Sequence, residues 1–155
     1  MSALIHLDST EATATAGATL AQAVRTNGID SLVMYLIGDL GVGKTTLARG
    51  FLRGLGHAGR VPSPTYALIE PYEIAGYAVS HIDLYRLHAP GEAASLALTE
   101  LCGSQTLMLI EWPERGGSAV PQADLRLELA IDEPGRILRL VGLSPAGKSL
   151  IQVNK

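Results

Sequence analysis

The sequence predicts an α/β fold, a three-layer sandwich around a mixed sheet that is parallel at its centre and carries antiparallel hairpins. Three observations predict it. Two nearly unbroken apolar runs, Ser31–Ile37 and Thr106–Ile110, read as central strands covered on both faces. Each has a helix-like segment beside it, the alternation that builds a parallel sheet. Two further pairs of strand-like segments are joined by short turns at Glu73–Gly76 and Glu133–Gly135, as hairpins are.

The elements follow in order. Ala3–Leu7 reads as a short strand, and Asp8-Ser9-Thr10-Glu11 as a helix start with an acidic first turn. From Ala12 to Thr26 the chain is alanine-rich, with Leu20 and Val24 on one face, and Asn27-Gly28 closes the helix. The strand Ser31–Ile37 leads into a glycine-rich loop. Beyond it Leu47, Phe51, Leu52 and Leu55 share one helical face, Arg49 and Arg53 share a solvated one, and Gly56 is a stop. Val61–Tyr66, with two prolines, is expected to be an extended loop ahead of the strands Ala67–Tyr72 and Tyr77–Asp83. Residues 91–102 read as a helix, Asp124–Ile131 and Ile137–Leu143 as the final hairpin. His57–Arg60, Gly116–Gln122 and the tail from Ser144 to Lys155 read as linker-like, the tail only weakly amphipathic.

The loop Gly38-Asp39-Leu40-Gly41-Val42-Gly43-Lys44-Thr45-Thr46 fits a phosphate-binding pattern, Gly, four residues, then Gly-Lys-Thr, placed between a strand and a helix. Its glycines allow successive N–H groups to line an anion-binding hollow. Lys44 is placed to reach phosphate oxygens, Thr45 to offer its hydroxyl to Mg²⁺, and the following helix start favours negative charge. These features make the fold P-loop NTPase-like.

Composition agrees with one folded domain over 1–155. Apolar residues make up 47% and charged residues 17%. No run is long enough to span a membrane, residues 1–30 show no basic-then-apolar signal, and a cytoplasmic location is expected. The lone Cys102 excludes an internal disulfide and reads as a small buried hydrophobe. A net charge of −3 with 12 scattered basic residues offers no grip for nucleic acid by this chain alone.

A phosphate loop needs a carboxylate near its metal, usually at the C-terminal end of a neighbouring strand. Asp83 and Glu111 both end strands, and spacing does not say which lies closer. Ser63 and Thr65 stand where hydroxyls of switch-like enzymes sense phosphate or metal, or else serve ordinary turn chemistry. Trp112, the only tryptophan, either packs or lies beside the nucleotide. No catalytic arginine stands out, so a partner is expected to complete the site.

Four segments together resemble the TsaE (YjeE) family, small bacterial ATPases of tRNA threonylcarbamoyladenosine synthesis: Gly38–Thr46, Ser63-Pro64-Thr65-Tyr66, His81-Ile82-Asp83-Leu84-Tyr85-Arg86-Leu87 and Ile110-Glu111-Trp112-Pro113-Glu114-Arg115. The resemblance is carried by residues 36–115. It implies ATP as the nucleotide, Mg²⁺ held by Thr45 and Glu111 with Asp83 in the same catalytic cluster, and a switch-like Ser63–Tyr66 loop. It also implies nucleotide contacts near Thr10, Glu11 and Arg136. The implied partners are TsaD and TsaB, with tRNA engaged through them and no membrane. Two other readings stand beside a partner-stimulated ATPase: a small-molecule kinase using the same loop, and a nucleotide-gated binding module with negligible hydrolysis.

Overall fold

In the computed structural model, which describes residues 1–153, the first helix begins where a hydroxyl can satisfy it. Ser9 Oγ accepts the Ala12 N–H at 3.0 Å, capping helix α1 (Thr10–Thr26), and Asn27 bonds back to the Ala23 carbonyl at its end. Strand β1 (Ser2–Leu7) precedes it, and β2 (Ser31–Ile37) feeds the glycine-rich loop and helix α2 (Lys44–Leu55).

The small residues of α1 have a packing reason. A Cβ at Gly17 would stand 2.3 Å from the Leu47 carbonyl oxygen, and one at Gly50 would stand 2.1 Å from that of Ala14. The two helices therefore meet backbone to backbone, with Leu20, Val24, Leu47 and Phe51 sealed beneath them. Gly50→Ala is expected to force them apart and cost about 1–3 kcal/mol. A urea midpoint equal to that of the wild type would contradict the close approach.

The sheet has seven strands in the order β1-β7-β6-β2-β5-β4-β3, the others being β3 (Ile69–Ile74), β4 (Tyr77–Asp83), β5 (Thr106–Glu111), β6 (Leu125–Asp132) and β7 (Gly135–Gly142). The four central strands β6, β2, β5 and β4 are mutually parallel. Both margins are antiparallel. The β3–β4 turn is only Ala75-Gly76, both with positive φ, so β3 begins at Ile69 rather than Ala67 and runs on to Ile74.

One face of the sheet is covered by α1, α2 and a C-terminal helix, α4 (Pro145–Val153). The tail is thus a packed helix rather than a linker: Leu150 and Ile151 are buried, and Lys148 N–H bonds the Ser144 carbonyl. Asn154 and Lys155, at the end of that tail, lie outside the described residues. The opposite face is covered by a thinner layer, α3 (Pro90–Ala94) and two 3₁₀ segments, Leu98–Leu101 and Pro113–Ala119. This layer packs on Ile82, Met108 and Ile110, so among the described residues no helix covers the outer face of β6, β7 and β1, and Leu4 there is 63% exposed.

Four local expectations are corrected here. The helix expected over 91–102 breaks after Ala94, because Ala97 is left-handed and a 3₁₀ turn follows it. Gly116–Gln122 begins as part of a 3₁₀ segment rather than as a linker. Val61–Tyr66 does not stay extended, since the chain turns back at Pro64 with Leu68 N–H donating to the Pro64 carbonyl. Cys102 is exposed, not buried; it lies past the 3₁₀ turn with its Sγ 3.5 Å from the Met108 sulfur.

Candidate active site

Parallel strands deliver their C-terminal ends to one edge of the sheet, and here three adjacent ends meet. β2 stops at Ile37 and the loop follows. Glu111 ends β5 opposite Leu36, and Asp83 ends β4 directly opposite Glu111. Glu111 is therefore one strand from the loop and Asp83 two, which settles the order that spacing left open.

Within the loop, Gly41 and Gly43 have φ of 77° and 117°, a left-handed conformation that glycine adopts without strain. Leu47 N–H returns to the Gly43 carbonyl as α2 begins. Gly43 has no side-chain cap, so N–H groups of the first turn remain available to a ligand. Lys44 is only 5% exposed; its Nζ donates to the Gly38 carbonyl and lies 3.8 Å from the centre of the Trp112 ring. Burial pushes its ammonium below the ordinary lysine value, against the opposing pull of Glu111 and Asp83.

Thr45 Oγ1 stands 3.5 Å from Glu111 Oε1, at the outer limit of a hydrogen bond. The other Glu111 oxygen is 2.7 Å from His81 Nε2. Asp83 is held differently: Oδ2 accepts from the Thr65 hydroxyl at 3.2 Å and Oδ1 from the Tyr85 N–H at 2.9 Å. Burial raises its carboxyl above the usual range, the Glu111 charge adds to the rise, and the two hydrogen bonds oppose it.

The site opens into two cavities separated by the loop. One, of about 320 Å³, is lined by Lys44, Thr45, Thr65, Asp83, Glu111 and Trp112. The other, of about 290 Å³, lies between the loop, the α1 start at Ser9, Thr10 and Thr13, and the β6–β7 turn at Pro134–Arg136. Gly41, Gly43 and Thr46 face both. An elongated anion with a bulky end suits this shape: charge at the lysine, bulk between α1 and the turn.

The donor set also fits a hard divalent cation. Thr45 and Glu111 offer oxygen only, beside a loop that suits phosphate oxygens. Among the described residues no three His, Cys, Asp or Glu side chains converge into a metal cage, and Mg²⁺ bound by one or two carboxylates plus phosphate needs none.

With this geometry in hand, the comparisons are specific. The family model "Threonylcarbamoyl adenosine biosynthesis protein TsaE" matches residues 7–138, from the last residue of β1 to the middle of β7. The chain belongs to the TsaE family. It is 42% identical to the "tRNA threonylcarbamoyladenosine biosynthesis protein TsaE" of Haemophilus influenzae over 121 residues, 78% of this chain and 77% of that one. It is 36% identical to the protein of the same name from Bacillus subtilis over 115 residues, 74% and 70% of the two chains. The crystal structure of Bacillus subtilis YdiB superposes with a TM-score of 0.74 at 25% identity, covering 99% of this chain and 93% of that one. Membership in TsaE places the chain in tRNA threonylcarbamoyladenosine biosynthesis.

The TsaE resemblance seen in residues 36–115 thus extends over most of the fold. Of the residues singled out in the sequence, Lys44, Thr45, Thr65, Asp83, Glu111 and Trp112 gather at one cavity, and Thr10, Thr46 and Arg136 at the other. Arg136 also acts on the loop, donating from Nε to the Val42 carbonyl at 3.1 Å. Glu11 is exposed and lines neither cavity; Asp39 is also exposed, its carbonyl accepting the Val42 N–H. Leu40 is 65% exposed at the cavity mouth. Ser63 reaches the site only through Thr65, at 2.7 Å, and Tyr66 is 82% exposed with the Arg86 guanidinium 4.0 Å from its ring centre.

Two contributors were missed. His81, fully buried on β4, touches Glu111; the sequence held it inside the segment His81–Leu87 and two residues before Asp83, without giving it a role. Tyr85 leans on Trp112 with ring centres 5.1 Å apart and Arg115 lies over both rings, a cluster no local pattern announces.

Proposed function

We propose that this chain is a Mg²⁺-dependent ATPase that serves the threonylcarbamoyladenosine modification of tRNA by acting on a complex of TsaB and TsaD. The observation that carries the proposal is the convergence of Lys44, Thr45 and Glu111 on one cavity beside the glycine-rich loop. Loop N–H groups and Lys44 bind the phosphates, while the groove between α1 and the β6–β7 turn takes the nucleoside. Mg²⁺, held by Thr45 and Glu111, would neutralise phosphate charge as it develops in transfer. Asp83 accepts from the Thr65 hydroxyl beside the same cavity, and burial, with the Glu111 charge adding to it, raises its carboxyl above the usual range.

Phosphoryl transfer is catalysed mainly by positioning and charge. No arginine lines the 320 Å³ cavity, while Arg115 and Arg86 are engaged with aromatic rings nearby. Turnover by the isolated chain is therefore slow, and a partner completes the charge. On this reading the site of action is the cytoplasm, with the tRNA-modifying complex; among the described residues no helix is long and apolar enough to cross a membrane.

The test is ATP turnover by the purified chain, with and without TsaB and TsaD. Stimulation of about tenfold or more is expected, in line with a group supplied in trans. Equal turnover in both would overturn the accessory reading, and phosphate recovered on an added metabolite would select the kinase.

A further inference from the structure

His81 is an expensive residue to bury where it stands. It is 0% exposed on β4, paired in register with Leu109, and shares its sheet face with Val79 and Asp83. Its Nδ1 is buried with no hydrogen-bond partner among the described residues. A leucine in the same space would strand no polar atom of its own, so packing gives no reason for an imidazole; what it would remove is the partner of Glu111. The single polar contact is Nε2 to Glu111 Oε2 at 2.7 Å, while Glu111 Oε1 faces Thr45 Oγ1 at 3.5 Å.

We propose that His81 is a positioning residue whose Nε2–H fixes one oxygen of Glu111 so that the other is presented to the Thr45 hydroxyl and the metal between them. The inference rests on the reading of Thr45 and Glu111 as the magnesium-holding pair. It works through direction: the Glu111 carboxylate turns about the bonds of a flexible side chain, and one short hydrogen bond to a ring locked in the core removes that freedom. The geometry also assigns the tautomer. Hydrogen on Nε2 donates to the carboxylate and leaves Nδ1 a bare lone pair, which costs less than a stranded N–H in that apolar pocket.

Two measurements test it. Nitrogen-15 NMR of the folded, nucleotide-free protein is expected to show His81 as the Nε2–H tautomer; the Nδ1–H tautomer would overturn the assignment without any variant having to fold. The second compares affinity for an ATP analogue with a non-transferable γ-phosphate in EDTA and in Mg²⁺. His81→Leu is expected to leave the EDTA affinity within about twofold and to cut the magnesium-dependent gain about 10-fold or more, the usual scale for losing an outer partner of a metal ligand. His81→Gln, whose amide N–H reaches the same place as Nε2–H, is expected to restore most of it. In a Glu111→Gln background His81→Leu should cost nothing further.

A full magnesium gain in His81→Leu, or an equal loss in the Glu111→Gln background, overturns the positioning role alone. A wild-type chain that binds the analogue with no magnesium gain sinks the Thr45–Glu111 reading and this inference with it.

Discussion

Lys44→Met is expected to lower affinity for ATP by about 100-fold while leaving the melting temperature unchanged or higher. The loss corresponds to about 2.7 kcal/mol, within the range for charge-assisted hydrogen bonds to a buried anion. The stability half of the expectation follows from burial. Lys44 is 5% exposed, and desolvation outweighs the attraction of Glu111 and Asp83, so its ammonium loses protons more readily in the fold than in the unfolded chain. A lysine depressed in this way destabilises the fold below its depressed value, and the penalty fades as pH rises toward the ordinary 10.5. The advantage of methionine is therefore full below that depressed value and shrinks as pH rises toward 10.5. Trp112 reports on the same event, because the cation 3.8 Å above its ring must move to meet phosphate. Its emission should change on saturating Mg²⁺–ATP in the wild type and not in Lys44→Met. Normal ATP affinity, or a melting point several degrees lower, would contradict this account.

The sequence and the structure agree best where the information is local. Ser9 at the helix start, the apolar run of β2 and the glycine spacing of the loop each act within a few residues, and each element forms where its signals stand. Asp83 and Glu111 were legible as strand ends, yet their ranking needed the sheet order, which no window of sequence contains. The helix expected over 91–102 failed for a related reason. Its alanines and leucines favour helix, but packing onto Met108 and Ile110 from one side required a turn at Ala97 and a second short segment.

His81 shows why the remainder was hidden. Between Ser80 and Ile82 on β4 nothing local sets it apart, and its function exists only through a carboxylate 30 positions away. Trp112 is a similar case. Its left-handed backbone (φ 56°, ψ 50°), followed by Pro113, ends β5 sharply. That turn aims the ring at Lys44 and Tyr85 instead of continuing the strand. Composition identified one tryptophan, and only the three-dimensional turn gave it a direction.

Glu111→Ala should reduce partner-stimulated turnover by about 10²–10³-fold, the scale associated with removing one preorganised charge or donor from a transition state. Binding of ATP should fall far less, since the loop N–H groups and Lys44 remain. The substitution acts twice: it removes the carboxylate 3.5 Å from Thr45 and takes away the partner of a fully buried histidine's Nε2–H. A buried donor left unpaired costs about 1–3 kcal/mol, so this variant should also be less stable. Glu111→Gln separates the two effects. Its amide oxygen can still accept from His81, which preserves the fold, while the negative charge at the metal position is gone. Turnover as low as in Glu111→Ala, with wild-type stability, assigns the catalytic loss to charge. Unchanged turnover in either variant would remove Glu111 from the reaction and leave Asp83, the carboxylate already committed to Thr65 and the Tyr85 N–H, as the only strand-end group able to serve.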